Sequence, residues 1–113
     1  MTHGADSNPV AVAMAQENLA AFGYQAQVAL ADMLAYRQGA EALVTDLPYG
    51  RYMQMDEPTM RRLLAHGRDL APRAVYVAGK NISSELQAVG HDDVTVYTVE
   101  KHAGFARHVH LAH

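Results

Sequence analysis

The run Thr45-Asp46-Leu47-Pro48-Tyr49-Gly50 sets an acid at the end of the apolar stretch Ala42-Leu43-Val44, directly before a proline-fixed turn that carries an aromatic ring. These residue types suit one chemistry. An exocyclic amine on a nucleobase is a poor nucleophile, because its lone pair is delocalised into the ring. Acceptors on its two N–H groups draw the nitrogen towards a geometry in which that pair can attack. The Asp46 carboxylate and the carbonyl exposed by the Leu47-Pro48 kink would be the two acceptors, and Tyr49 would be the face on which the flipped base stacks. The same residues also make an ordinary strand-to-loop turn, since Asp, Pro and Gly are the commonest turn formers.

Two more acids, Asp6 and Asp32, close short extended segments. In α/β sheets ligands sit beyond the carboxyl ends of the strands. Three aspartates at such ends (Asp6, Asp32 and Asp46) therefore read together as a site, although each alone reads as a helix cap or turn residue.

Other chemistries are weaker or closed. The chain has no cysteine, which excludes disulfides, thiolate zinc sites and cysteine nucleophiles. His108 and His110 lie at strand spacing with His102 and His113 nearby, and two histidines two apart can share a metal. No carboxylate has clear spacing to join them, and the alternation Arg107-His108-Val109-His110 reads equally well as the solvated face of an edge strand. Met53, Met55 and Met60 follow the acidic turn and read as core packing or as the lining of a pocket.

The elements that must position these residues follow from punctuation and periodicity. Ser7-Asn8-Pro9 is a helix start and Gly23 a stop, which predicts a helix over Pro9 to Phe22. Gln25 to Leu30 and Ala42 to Thr45 fit strands that end at Asp32 and Asp46. Asp56 with Pro58 opens a helix in which Met60, Leu63, Leu64, Gly67 and Leu70 keep helical spacing until Pro72. Ala74 to Ala78 is a near-continuous apolar run, as expected of a strand covered on both faces. Ile82 to Val89 reads as a short helix ended by Gly90, and Val94 to Val99 with Phe105 to Leu111 as a closing hairpin. The alternation predicts an α/β sandwich with a mostly parallel sheet and an antiparallel edge.

Composition bounds the partners. With 113 residues, half of them apolar and 19% charged, the chain can bury a core and lacks the signature of disorder. No apolar run approaches the roughly 18 residues of a membrane span. The start has no charged-then-apolar leader, so the sequence reads as cytoplasmic with no membrane partner. The net charge of −3 argues against a strongly basic nucleic-acid surface, yet the charges are uneven. Residues 1–50 are acidic with Arg37 as their one base, whereas Arg51, Arg61, Arg62, Arg68, Arg73 and Lys80 make the next stretch basic. That pattern could hold a cation beside an anion.

Gly4-Ala5-Asp6-Ser7-Asn8-Pro9, Ala15-Gln16-Glu17-Asn18-Leu19, Ala31-Asp32-Met33-Leu34 and Thr45-Asp46-Leu47-Pro48-Tyr49-Gly50 occur in that order. The series resembles class I S-adenosylmethionine-dependent methyltransferases. Among them it looks most like the THUMP-associated tRNA guanine-N2 methyltransferases, whose catalytic signature is an Asp-Leu-Pro-Tyr/Phe-Gly or Asp-Pro-Pro-Tyr-Gly turn. The resemblance covers essentially the whole chain and is strongest over residues 4–50. It implies a Rossmann-like methyltransferase sandwich with S-adenosylmethionine as cofactor and the exocyclic amine of guanine in tRNA as substrate. By position, Asp6 would bind the cofactor's ribose hydroxyls and Asp32 its adenine amino group, while Asp46, Pro48 and Tyr49 would hold and orient the target amine. Amino methylation of DNA or of a protein side-chain amide is the alternative, because related Pro-Tyr turns occur in those enzymes too.

The chain departs from the family in lacking the glycine-rich turn and the strand before it. Residues 1–113 therefore read as a single, N-terminally truncated methyltransferase-like domain whose sheet has a gap in its middle. No THUMP module is present either. This leaves a second reading, a catalytically incomplete fold acting as a binding or dimerisation module, with a homodimer filling the gap.

Overall fold

A computed structural model of the protein describes residues 2–47, 56–102 and 105–113. The chain divides into two compact units, Met1–Gln38 and Gly39–His113.

The first unit runs β1 (Thr2–Asp6), α1 (Pro9–Phe22), β2 (Ala26–Leu30) and a 3-10 turn (Met33–Ala35). α1 starts where the sequence says it should. Asn8 accepts the amides of Val10 and Ala11 at 2.9 and 3.4 Å, and Pro9 occupies the first turn. It stops at Gly23, whose φ of 73° is the left-handed conformation that glycine adopts without strain, and Tyr24 N–H then reaches back to the Leu19 carbonyl at 3.0 Å. β1 and β2 pair in parallel, from Thr2 opposite Ala26 to Asp6 opposite Leu30. The Gln16 side chain ties α1 to this pair by donating to the Val28 carbonyl at 3.2 Å. Of the α1 residues only Val12 is buried, while Val10, Met14 and Phe22 are exposed. A helix apolar on nearly every side is ordinarily covered on every side.

The second unit runs β3 (Ala42–Asp46), α2 (Glu57–Leu70), β4 (Arg73–Ala78), α3 (Ser83–Ala88), β5 (Val94–His102) and β6 (Phe105–Ala112). Its sheet has the order β3-β4-β6-β5, with β3 and β4 parallel and β6 antiparallel to both its neighbours. Asp56 caps α2 by accepting the Thr59 amide at 2.7 Å, and its bonds to Thr59 hold the carboxyl below the ordinary carboxylate value. Met60, Leu63, Leu64, Gly67 and Leu70 are the buried stripe of that helix. They meet Ala74, Tyr76 and Ala78 of β4 and, with Ile82, Leu86 and Ala112, form the core. Each large aliphatic side chain buried there stabilises by about 1.5–3 kcal/mol.

The predicted elements are all present, with ends shifted by a residue or so and β5 extended to His102. The parallel pairs β1–β2 and β3–β4 alternate with helices before the antiparallel hairpin closes the chain. Among the described residues the strands form one sheet of two and one sheet of four.

Two expectations are corrected. β4 is buried on one face and half-buried on the other: Ala74, Tyr76 and Ala78 are buried, Val75 and Val77 are half-buried, and α2 packs against this strand. The stretch 107–110 is not a solvated edge. β6 runs between β4 and β5, and His110 is buried.

Candidate functional site

Asp6 and Asp32 are brought to the same end of one strand pair. Asp6 is the last residue of β1, opposite Leu30, and its carbonyl accepts the Ala31 amide at 3.0 Å, so Asp32 follows immediately. Both side chains are exposed. Each also performs the local duty that the simpler reading assigned it. Asp6 Oδ1 accepts the Asn8 amide at 2.8 Å, and Asp32 Oδ1 accepts the Leu34 amide at 2.8 Å, capping the 3-10 turn. These bonds fix the carboxylates in place. Among the described residues each uses Oδ1 alone, and a carboxylate has acceptor capacity for further donors.

Asp46 lies in the second unit as the last residue of β3, opposite Val77, and the Leu47 amide extends the ladder by donating to the Val77 carbonyl at 2.8 Å. The Asp46 side chain is exposed and Leu47 is buried, so the backbone is anchored where the carboxylate emerges. Pro48 and Tyr49, predicted to complete the amine-holding turn, lie outside the described residues, as do Met53 and Met55. Met60 is a core residue of α2.

The carboxyl end of β4 adjoins that of β3, because the two strands are parallel neighbours. The loop leaving β4 carries exposed Lys80 and then Asn81, whose Oδ1 accepts the amide and hydroxyl of Ser83 at 2.9 and 2.6 Å. A cation is thus carried on the loop beside the Asp46 strand. Arg61, Arg62 and Arg73 are exposed as well.

Sequence reasoning did not single out the Gly79–Asn81 loop. Its only signal was the ending of the apolar run at Ala78 followed by Gly and Lys. Of the two histidines weighed for a metal, His108 lies 3.3 Å from the Thr98 hydroxyl, and His110 has both ring nitrogens engaged by backbone groups. Among the described residues no cluster of three or more His, Cys, Asp or Glu has metal-binding geometry. No helix is long and apolar enough to cross a membrane.

No family model matches the chain, and neither does any curated protein. Solved structures do match in fold. Magnesium protoporphyrin IX methyltransferase from Synechocystis, crystallised with SAM, superposes with a TM-score of 0.75 at 12% identity, over 97% of this chain and 58% of its own. An rRNA methylase from Streptococcus thermophilus gives 0.70 at 11% identity, over 97% of this chain and 70% of its own. The tRNA (uracil-54, C5)-methyltransferase of Pyrococcus abyssi, bound to S-adenosyl-L-homocysteine, gives 0.66 at 19% identity, over 98% of this chain and 28% of its own. The fold is therefore the Rossmann-like fold of S-adenosylmethionine-dependent methyltransferases. This chain spans about three-fifths of the length of the first of these structures.

Proposed function

We propose that the protein carries the catalytic fold of an S-adenosylmethionine-dependent RNA N-methyltransferase, acting on the exocyclic amine of guanine in tRNA. The observation that carries this reading is the exposed Asp46 carboxylate at the end of β3, held by a ladder that continues through the buried Leu47. A carboxylate fixed by backbone pairing rather than by side-chain packing is pre-positioned for a substrate N–H. It accepts a proton-bearing nitrogen and needs no cysteine. The RNA methylases among the fold neighbours favour an RNA substrate. Lys80 on the adjoining loop suits a nearby phosphate.

In this reading Asp6 takes the cofactor's ribose hydroxyls and Asp32 its adenine amino group. The bound cofactor supplies an electrophilic methyl group. Asp46, with Pro48 and Tyr49, orients the nucleophile.

A second reading, a binding or dimerisation module without catalysis, is favoured by the exposed apolar residues Val10, Met14 and Phe22 of α1 and Val44 of β3. Methyl transfer from S-adenosylmethionine to unmodified tRNA separates the two, with the methylated nucleoside identified by mass. Asp46→Ala should lower the rate by about a hundredfold or more and leave the fold intact. Transfer retained in that variant refutes the role of Asp46, and no transfer or cofactor binding by the parent protein favours the binding module.

A further inference from the structure

His110 is fully buried at the centre of the four-stranded sheet, opposite Tyr76 on β4 and Val96 on β5. Its Nε2 lies 2.9 Å from the Ile82 amide nitrogen, which can only donate. Its Nδ1 lies 3.2 Å from the Tyr76 carbonyl oxygen, which can only accept. One state of the ring satisfies both partners: neutral, with the proton on Nδ1 and Nε2 bare.

Ile82 is the cap residue of α3, and no side chain caps that helix. The Ile82 amide is instead held by a ring from β6, across 28 positions of sequence. This bond pins the far end of the Gly79–Asn81 loop, whose near end is the carboxyl end of β4 beside the Asp46 strand. Adding a proton to His110 would turn Nε2 into a donor facing a donor. The bond would then be lost, and a buried amide would be left without its acceptor.

We propose that His110 is a proton-operated latch that holds the Gly79–Asn81 loop against the sheet at neutral pH and releases it on acidification. The groups around the ring set its threshold. Burial is the largest influence and lowers its proton affinity below the ordinary value of 6.5. The Tyr76 carbonyl on β4, the His108 backbone and Glu85 on α3 pull the other way, the His108 charge on its own strand pushes it lower still, and Val96 on β5 contributes no charge. The latch goes beyond the catalytic reading and does not depend on it.

Amide hydrogen exchange of the protein, followed by NMR between about pH 7.5 and 4.5, tests the latch. From about pH 6.5 downward the protection of the Ile82 amide should fall by about tenfold per pH unit until the lowered threshold of the folded state is reached, as expected for one coupled proton. The Leu47 amide, bonded to Val77, and the Leu64 amide inside α2 should keep their protection over the same window. His110→Gln keeps an acceptor near the Nε2 position with nothing to titrate, and should flatten the Ile82 profile. His108→Asn should leave the fall in place. A flat profile in the parent protein, a fall shared equally by Leu47 and Leu64, or a fall that survives His110→Gln would each overturn the latch. Should His110→Gln not fold, the ring nitrogen spectrum of the parent protein decides: protonated Nδ1 with bare Nε2 at neutral pH is the expected result, and the opposite tautomer refutes it.

Discussion

The hydroxyl of Tyr76 lies where a side chain on Gly67 would begin. α2 can approach β4 closely because position 67 has no β-carbon, and the tyrosine ring fills the space this leaves. The phenol is buried without a hydrogen-bond partner among the described residues, and burial pushes its pKa up to about 12.

Gly67→Ala should therefore destabilise the protein by about 1–3 kcal/mol through overpacking, despite the roughly 1 kcal/mol that alanine gains in a helix interior. Tyr76→Phe should be neutral or stabilising, since it removes an unsatisfied buried hydroxyl. The double variant should recover part of the loss, but not all, because Leu43 Cδ2 and the ring carbon Cζ of Tyr76 also crowd the site at 3.1 and 3.3 Å. Denaturant titrations of the four proteins measure the coupling.

Asp6→Asn and Asp32→Asn separate the structural from the ligand-binding duty of each aspartate. An asparagine Oδ1 can still accept the Asn8 or Leu34 amide, so the turns should persist. S-adenosylmethionine binding, followed by calorimetry, should weaken by about tenfold or more in each variant, because charge-assisted hydrogen bonds are roughly twice as strong as neutral ones. Unchanged affinity would remove these residues from the cofactor site.

Asn8→Ala should cost about 1 kcal/mol at the start of α1. Its side chain is the acceptor for the Val10 and Ala11 amides, so the loss should appear first as faster exchange of those two amides.

His91 is buried, and neither ring nitrogen has a hydrogen-bond partner among the described residues. Burial lowers its proton affinity below the ordinary value of 6.5. The fold thus favours the neutral ring. Its contribution is fully present above about pH 6.5 and is lost as pH falls through the lower value of the folded state. His91→Leu should flatten the acid limb of the stability curve and leave stability at neutral pH equal or higher, as read by thermal unfolding at a series of pH values.

Local features were the readable ones. Asn8, Pro9 and Gly23 mark both ends of α1 because caps and left-handed stops act within four residues of themselves. Asp6 and Asp46 were legible as strand ends for the same reason, while Asp32 lies two residues past β2 as the cap of the 3-10 turn. The place of β6 was not, because nothing near Arg107-His108-Val109-His110 says that the strand inserts between β4 and β5. The burial of His110 depends on Ile82 and on the Tyr76 carbonyl, 28 and 34 positions away. Its polarity reads as exposure until those partners are known. The turn duty of Asp6 and Asp32 was legible as well, and both carboxylates perform it while facing solvent.

The order β3-β4-β6-β5 has a consequence for synthesis on the ribosome. β6, the last strand of the unit to be made, provides a ladder to both β4 and β5. Until Ala112 has left the exit tunnel, β4 has β3 as its sole strand neighbour in this sheet and β5 has none, however long the translating ribosome pauses upstream. The sheet of this unit can therefore close only once these residues are clear of the ribosome, and a pause before that point would leave β4 and β5 with open strand edges.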